Sequence, residues 1–382
     1  MQCEKLFAKI DELEQEYIQF WVDVCSIESP TKFKEGVDTV GKYFIDKAKP
    51  FGWEIEVRHE DVSGDAVCIT MNPDAPGKAV CLSGHMDTVH PVGSFGTPPV
   101  KIEDGWIYGP GVKDCKGGAV ASFYAMAALA AVGFKARPVK LILQSDEENT
   151  SATSGRDTVR FMAEKAKDCM VFLNTEGYQR EKVCVKRKGI MKLRFDITGK
   201  AIHGSKCFDG ISAVREAAYK IIELEKFKDK EGVTCNVGTI EGGTVTNVVP
   251  ETCSFTVDFR FASDEQFREI EKTVERLAAT SFVEGSVCKV TRLSVRPALD
   301  PNEANLEMFR RFNEVCTANG LPEMITRQNT GGSDAADMAA AGITTLDSLG
   351  VVGENTHSIR EKAELCSLRE SAKRLACAAY CL

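Results

Sequence analysis

Hydrophobic positions follow a helical period at the start of the chain and change to short apolar runs further along. Leu6, Ile10 and Leu13 open a periodic pattern over residues 4–26, and a second helix is expected at 35–49. Strands are then expected at 53–59, 65–71, 78–83, 139–144 and 170–173, with helices at 117–132 and 154–165. Strands separated by helices of this length predict an α/β fold whose sheet is largely parallel and covered on both faces.

The pattern changes character after residue 188. An alternating strand begins at Gly189, and it is followed by helices at 212–226 and 264–279 and by strands at 235–240, 253–260 and 286–293. This strand–helix–strand–strand–helix–strand order is typical of a small α+β sandwich. A helical pattern resumes at 305–319. The sequence therefore predicts a catalytic domain formed by 1–188 and 297–382, interrupted by an inserted domain at 189–296.

The composition is that of a globular protein with an acidic balance. Of the 382 residues 43% are hydrophobic, and 48 Lys and Arg face 56 Asp and Glu, a formal net charge of −8. That surface argues against nucleic acid or an anionic membrane as a partner, and no apolar run approaches the ~20 residues of a membrane helix. The 15 cysteines are scattered without a Cys-x-x-Cys pair, which indicates buried free thiols in a reducing, cytoplasmic compartment.

Polar side chains follow the carboxyl ends of several predicted strands, where the active groups of open parallel sheets gather. A glycine-rich loop ends at an aspartate, and a late apolar stretch ends at a histidine. The set is His85, Asp87, Asp114, Glu147, Glu148, Glu176 and His357. Imidazole combined with several carboxylates, and with no cysteine common to the set, is a ligand mixture for catalytic zinc, cobalt or manganese.

Spacing within this set suggests how the roles divide. His85 and Asp87 lie two residues apart on an extended segment, so one can bind a metal while the other orients it. The adjacent Glu147 and Glu148 point in different directions, which suits one metal ligand and one free general base. The sequence contains no Gly-x-Ser-x-Gly, no His-Glu-x-x-His and no phosphate-binding loop, which argues against a serine hydrolase, a mononuclear zinc protease and a nucleotide-binding enzyme.

Several of these residues belong to recognisable segments. In order they are SGHMDTV at 83–89, YGPG at 108–111 with DCKGG at 114–118, DEE at 146–148 and TGGSDA at 330–335. The segments resemble those of the di-zinc exopeptidase family that contains carboxypeptidase G, aminoacylase, succinyl-diaminopimelate desuccinylase and peptidase T. The resemblance spans about residues 5–380 and includes the inserted domain.

The resemblance implies a role for each of these side chains. Five residues would bind two divalent ions, zinc or alternatively cobalt or manganese: Asp114 between the ions, His85 and Glu176 at one, and Glu148 and His357 at the other. Glu147 would be the general base, and Asp87 would hold the first histidine. The resemblance also implies a cis peptide bond between Asp114 and Cys115.

The inserted domain resembles the family's lid and dimerisation domain, which implies a homodimer. His203, in AIHGS at 201–205, matches a histidine that reaches the active site of the neighbouring subunit. Asn247 matches a substrate-contacting asparagine, and Arg260 an arginine placed to bind a substrate carboxylate in bidentate fashion. Gly332 and Ser333 are expected to bind substrate as well. An open alternative is that His203 and Arg260 pair with carboxylates of their own domain.

Two positions bear on the substrate. Glutamate at position 176 resembles the family's carboxypeptidases and acylases rather than its aminopeptidases, which favours a free carboxylate beside the scissile amide. Carboxypeptidase G-type enzymes place an arginine just before the glycine-rich run, where this chain has RQN at 327–329, so selectivity for a C-terminal glutamate does not follow. We predict a carboxypeptidase or dipeptidase acting on small peptides. Deacylation of N-acyl amino acids is the alternative, and a non-catalytic metabolite-binding relative is a weaker one, since all five ligand positions and Glu147 are present.

Four residues near the motifs are expected to have no catalytic role. His59 follows a predicted strand and is expected at the surface, while His90 matches no ligand position of the family. Cys115 and Cys207 flank proposed active residues and are expected to be inert packing side chains.

Overall fold

The computed structural model describes residues 2–229 and 232–382, and these form two compact units. The first unit comprises the residues up to Lys186 together with Pro301–Asn329 and Ser333–Leu382. The second comprises Arg187–Asp300 and Thr330–Gly332. The second unit is therefore inserted in the chain of the first.

The first unit is built around a six-stranded sheet. Its helices and strands are α1 (Glu4–Ser26), α2 (Lys34–Ala48), β1 (Glu54–Arg58), β2 (Ala66–Met71), β3 (Val80–His85), β4 (Lys101–Glu103), β5 (Trp106–Tyr108), α3 (Lys116–Ala131), β6 (Val139–Gln144), α4 (Asp157–Ala166), β7 (Val171–Asn174), β8 (Lys182–Arg187), α7 (Glu303–Ala318), β13 (Ile325–Asn329), α8 (Asp334–Ala340), β14 (Thr345–Leu346), β15 (Gly353–Glu354), β16 (Lys362–Glu364) and α9 (Leu365–Cys381). The strand order is β1-β2-β6-β3-β7-β14. Strands β6, β3, β7 and β14 run parallel to one another. Strand β2 pairs antiparallel with both of its neighbours, β1 and β6.

The predicted α/β fold with a largely parallel sheet is thus confirmed. Every residue of β2, β3 and β7 is buried, as expected for strands covered on both faces. Helix α3 packs against α1, α9 and β3 and has no polar side, because nearly all of its residues are buried. In the parallel register His85 lies beside Gln144, and Ser83 lies beside Asn174. The segments that follow β3, β6 and β7 therefore leave the sheet at the same edge.

The second unit is a separate α+β layer structure. Its elements are β9 (Gly189–Thr198), α5 (Ala213–Glu225), β10 (Thr234–Gly242), β11 (Thr252–Phe261), α6 (Asp264–Ala279) and β12 (Val287–Arg296). The four strands form an antiparallel sheet in the order β10-β11-β9-β12, and the predicted order of strands and helices is observed. Alternate residues of β9 and β11 are buried, and their Phe195 and Phe255 rings stack at 4.6 Å between centroids in the core.

The cysteines depart from expectation at one place. Cys81 of β3 and Cys169, which precedes β7, form a disulfide with Cα atoms 6.4 Å apart, although the sequence predicted no disulfide framework. The two residues are 88 positions apart, and they meet because β3 and β7 are neighbouring strands. The other thirteen cysteines are free and mostly buried, as predicted. Within the described part of the chain, no helix combines the length and the apolar character needed to cross a membrane.

Candidate active site

Three parallel strands deliver acidic and imidazole side chains to one edge of the first unit. His85 is the last residue of β3 and is 2% exposed. Glu147 and Glu148 begin the short 3-10 helix that follows β6, and Glu176 lies two residues after β7. These side chains cluster because the carboxyl ends of neighbouring parallel strands meet at the same edge.

Asp114 occupies the centre of this cluster, with one histidine at each carboxylate oxygen. Its Oδ1 lies 3.1 Å from Nε2 of His85, and its Oδ2 lies 3.2 Å from Nε2 of His357. The residue ends the glycine-rich loop immediately before α3, and the expected cis peptide bond to Cys115 is present. A carboxylate placed between two imidazoles in this way has the arrangement of a bridging metal ligand.

Two overlapping groups of donor atoms share Asp114. His85 and Glu176 complete one group, with 3.8 Å between Nε2 and Oε1, and His357 and Glu148 complete the other, with 3.1 Å between Nε2 and Oε2. Within each group the donor atoms lie within 4.8 Å of one another. The structure therefore brings all five predicted ligands together, and two imidazoles with three carboxylates suit two divalent cations.

The two groups differ in their access to solvent. The His85 side chain is buried, whereas that of His357 is 57% exposed and its residue adopts a left-handed backbone conformation with φ of 63°. Residues other than glycine adopt this conformation infrequently, and they do so where the surrounding loop requires it. The cluster is closed on the side of the sheet and open at His357.

Asp87 fixes the position of the neighbouring side chains. Its carboxylate is fully buried and accepts hydrogen bonds from the backbone N–H groups of Glu147 and Glu148, each at 3.1 Å, and from the hydroxyl of Thr31 at 2.7 Å. The Nδ1 atom of His85 lies 3.0 Å from the backbone oxygen of Asp87 and 3.4 Å from its carboxylate. The main chain of Asp87 is thus the nearest partner of the histidine, and its carboxylate mainly anchors the two glutamates.

The pKa values of both histidines and of Glu148 are raised, as expected where negative charge is concentrated. Hydrogen bonds that the His357 ring donates to the carboxylates of Asp114 and Glu148 raise the pKa of His357 to about 10. Burial and the charge of Asp114 raise the pKa of Glu148 to about 8. Burial acts to lower the pKa of His85, but the neighbouring Cys115 and the carboxylates outweigh it, so that pKa lies well above its ordinary value. The concentrated negative charge attracts positive charge, which protons supply when no metal is bound.

A second carboxylate supports the loop that carries Asp114, and the sequence analysis missed it. Glu361 is 1% exposed and accepts hydrogen bonds from the backbone N–H groups of Lys113 at 2.9 Å and Asp114 at 3.0 Å. Its other oxygen lies 2.9 Å from Nε2 of His90, which is also buried. His90 matched no ligand position, and the structure gives it a partner 271 residues away. No local pattern in the sequence links these two residues.

The predicted substrate-binding residues of the second unit lie at its surface. His203 is exposed and its Nδ1 lies 2.8 Å from the hydroxyl of Ser205. The backbone N–H of Gly204 donates to the backbone oxygen of Asn247 at 2.7 Å, so the segments of His203 and Asn247 are adjacent. Arg260 donates from Nε and Nη2 to the two carboxylate oxygens of Asp258, at 2.7 and 3.1 Å. Within this unit, the alternative of local pairing holds for Arg260.

The glycine-rich run at 330–335 has partners in both units. In the second unit, the backbone oxygen of Gly332 accepts a hydrogen bond from Nη1 of Arg187 at 2.9 Å. In the first unit, the Ser333 hydroxyl caps α8 by accepting from the backbone N–H of Ala335 and also accepts from the side-chain amide of Asn174 at 2.9 Å. The hydroxyl of Ser333 is therefore engaged in holding the start of a helix.

Two of the remaining three candidates, His59 and Cys115, lie as predicted, and Cys207 does not. The His59 side chain is 81% exposed and pairs with Asp65. Cys115 is buried, and burial raises the pKa of its thiol to about 12, so it is present as the unreactive neutral form. Cys207 is exposed, unlike the packing residue that was expected. Its neighbours in the chain form a short, largely exposed 3-10 helix rather than a core element.

Comparison with known protein families gives a match that includes the clustered residues. Residues 81–380 match the family model described as peptidase family M20/M25/M40, which covers well over half of the chain and contains all of the cluster described above.

Individual relatives match along most of their length. Carboxypeptidase G2 of Pseudomonas sp. (strain RS-16) is 26% identical over 378 residues, which is 98% of this chain and 90% of that protein. A succinyl-diaminopimelate desuccinylase of Alkalilimnicola ehrlichii is 26% identical over 309 residues, covering 76% of this chain and 80% of that protein. Among solved structures, a tripeptidase of Staphylococcus aureus superposes with a TM-score of 0.77 at 21% identity, covering 96% and 98% of the two chains. The structural match establishes a common fold.

Proposed function

The chain belongs to peptidase family M20/M25/M40, and from that membership we propose that it is a carboxypeptidase or dipeptidase of small peptides, which cleaves the amide next to a free carboxylate. It is a hydrolase of peptide or amide bonds, as its family and its relatives are. The observation that carries the proposal is the carboxylate of Asp114, which lies between two histidine–glutamate groups at the edge of the sheet.

Two divalent ions, zinc or else cobalt or manganese, would be held by the five clustered residues. His85, Asp114 and Glu176 would hold one ion, and Asp114, Glu148 and His357 the other. Bound ions would supply Lewis acidity toward the substrate carbonyl and a lowered pKa for an attacking water. The protein's part is to keep the donor atoms at the right separation, and Asp87 and Glu361 are placed to do this.

Glu147 is proposed as the general base and then the general acid. It is 7% exposed, its backbone N–H donates to Asp87, and its charge acts on the neighbouring Glu148, although it belongs to neither donor group. In this role Glu147 takes a proton from the attacking water and later gives it to the leaving amine. Amide hydrolysis requires both transfers, because an amine leaves readily only when it is protonated.

The second unit is proposed to supply the groups that recognise the substrate. Arg260 can bind a substrate carboxylate with the same bidentate geometry that it uses toward Asp258. His203 presents its free edge to solvent and, in a homodimer, is proposed to donate a hydrogen bond to the substrate carbonyl at the partner's site. Asn247, Gly332 and Ser333 are proposed to line the same substrate.

Deacylation of N-acyl amino acids is the alternative function, and a specific observation favours it. Desuccinylases recur among the relatives, with matches that cover 75–81% of this chain, and their name describes removal of a succinyl group. Both reactions break an amide beside a carboxylate, so the same site serves either.

A cytoplasmic location is also proposed, on the basis of the many free thiols.

Hydrolysis profiling of the zinc-loaded and the manganese-loaded protein tests the proposed function. The panel pairs each dipeptide with its C-terminal amide and adds N-acetyl amino acids, N-succinyl amino acids and folyl-glutamate, with products separated by chromatography. We expect dipeptides to be cleaved and their C-terminal amides to react far more slowly, because the amides lack the carboxylate. Cleavage of the N-succinyl compounds alone would favour the alternative, and equal cleavage of dipeptides and their amides would contradict a carboxypeptidase.

A further inference from the structure

Three cysteine thiols converge where the first and last helices of the first unit meet. Cys3 precedes α1, and Cys377 and Cys381 lie one turn apart on α9. The Sγ atom of Cys3 lies 3.8 Å from that of Cys377 and 3.5 Å from that of Cys381. All three sulfur atoms lie within 4.8 Å of one another, and all three thiols are free.

The surroundings of these thiols are largely apolar and contain a fourth cysteine. Cys3, Cys377 and Cys316 of α7 are fully buried, and Cys381 is partly exposed at the end of α9. The thiol of Cys316 lies against that of Cys377. Asn319, at the end of α7, contacts Cys381 through its side-chain amide and accepts a hydrogen bond from the backbone N–H of Cys3. Three segments far apart in the sequence thus contribute sulfur atoms to one place.

The separations of the sulfur atoms match those of a thiolate metal site. A zinc–sulfur bond is about 2.3 Å, so two sulfur atoms of a tetrahedral site are about 3.8 Å apart. The two separations observed here, 3.8 and 3.5 Å, lie close to that value. Cysteines that merely fill space as small apolar side chains have no reason to direct their sulfur atoms toward a common point. Histidine and carboxylate ligands form the other cation cluster, so the two sites differ in chemical character.

We propose that Cys3, Cys377 and Cys381 form a structural binding site for a thiophilic divalent cation of the zinc class, with a water molecule as the fourth ligand. On binding, each of the three thiols releases its proton to solvent and forms a sulfur–metal bond, and no change of oxidation state is involved. Burial raises the pKa of the Cys381 thiol to about 11, so the protons leave only when a cation replaces them. The ion would join the start of α1 to the end of α9.

Cobalt binding provides a test whose readout does not depend on hydrolysis. The complete protein is titrated with Co²⁺ in a non-thiol reductant, and sulfur-to-cobalt charge-transfer absorption is recorded. The site of Asp114 has no thiol among its proposed ligands and does not give this signal. We expect the absorption in the parent protein and in Cys366→Ser, a control at an exposed cysteine of the same helix. In Cys381→Ser and Cys3→Ala the absorption should be lost and the affinity should fall at least about 10–100-fold, the loss that even a supporting partner causes at metal sites.

A second measurement uses the parent protein alone, in case a variant does not fold. The protein is alkylated with and without saturating Zn²⁺, and the modified cysteines are identified by mass spectrometry. Protection of Cys381, the partly exposed thiol of the three, but not of Cys366 would support the site. Absence of the charge-transfer absorption in the parent protein, the same absorption in Cys381→Ser, or no difference in alkylation on adding Zn²⁺ would overturn the proposal. None of these outcomes bears on the proposed peptidase activity.

Discussion

The cation cluster of the first unit and the substrate-binding candidates of the second unit differ in how far the fold has already organised them. Asp114, Glu148 and Glu176 have side chains no more than 13% exposed, and their partners come from the ends of buried strands and from the loop of His357. His203 and Asn247 are exposed, and Arg260 is paired with its own neighbour Asp258.

The difference indicates which part of the chemistry each unit can complete by itself. The first unit holds the donor atoms of each group within 4.8 Å of one another, so the ligands proposed for the cations are already assembled. The second unit presents its groups on a surface, where they need a substrate or another chain to give them a partner. Substitution and titration of these groups test this difference, from the largest expected effect to the smallest.

The variant Glu147→Gln tests whether the first unit performs the proton transfers. Because glutamine has nearly the shape of glutamate but cannot accept the proton, we expect kcat to fall by about 10²–10⁴-fold with metal content unchanged. Steady-state kinetics and metal analysis measure both quantities. Glu103→Gln, at an exposed glutamate of β4 that pairs with Lys101, is the matched control. Turnover close to that of the parent protein would show that Glu147 is not the base.

The variant His203→Ala tests whether the second unit acts on the chemistry of a partner chain. Alanine has no hydrogen-bond donor, and loss of a donor to a developing oxyanion costs about 10²–10³-fold in kcat, so we expect a loss of that size. His59→Ala, at an exposed histidine of the first unit, is the control.

A mixture of subunits decides whether His203 acts within its own chain. In the proposed homodimer, half of the dimers are mixed when His203→Ala and Glu147→Gln chains exchange freely. If the histidine acts across the dimer, each mixed dimer has one site with both groups intact, and roughly a quarter of the parent activity should return. If it acts within its own chain, no site is intact and no activity should return.

The variant Glu361→Gln tests whether the supporting carboxylate preorganises the first unit's cluster. The amide cannot accept the N–H groups of Lys113 and Asp114 and also pair with His90 in the same way, so the loop of Asp114 should loosen. Changes in such supporting partners cost about 10–100-fold in metal affinity, and competition with a chelator measures this. Glu103→Gln serves again as the control. Unchanged affinity combined with lower thermal stability would mean that Glu361 supports the fold alone.

The pH dependence of metal binding gives the smallest effect when the change in affinity is counted per pH unit. The raised pKa values of His357, about 10, and Glu148, about 8, mean that an incoming cation must displace protons near neutrality. Metal affinity should therefore rise between about pH 6 and pH 9, by up to about tenfold per pH unit for each proton displaced. Calorimetric titration in buffers of different ionisation enthalpy counts the released protons. An affinity that does not vary with pH would contradict the shifts.

The metal-free protein should respond to pH in the opposite direction. The pKa of His357 is higher in the folded state, at about 10, than its ordinary value of 6.5. Its contribution to the free energy of unfolding is therefore fully present below about pH 6.5 and is lost as the pH rises through about 10. Denaturant unfolding of the chelated protein measures this loss, and bound metal should abolish it.

Sequence periodicity and motif order were sufficient for the architecture and for the identity of the cluster. The helix at 264–279 and the strand at 139–144 were predicted with the bounds that the structure has, because their apolar periods are strong and uninterrupted. The order of polar residues after strands, with the resemblance of four segments, identified the residues that converge around Asp114. Sequence proximity to a strand end is a local property, so it can be read without knowledge of the tertiary structure.

Contacts between distant segments were decided by the tertiary structure alone. Glu361 and His90 are 271 residues apart, Cys3 and Cys381 are 378 apart, and Cys81 and Cys169 are 88 apart. A buried carboxylate that accepts backbone N–H groups leaves no periodic mark on the chain, and neither does a thiol directed at another thiol. Periodicity records only which side of an element is buried, whereas the partner of each buried polar atom depends on which elements the fold brings together.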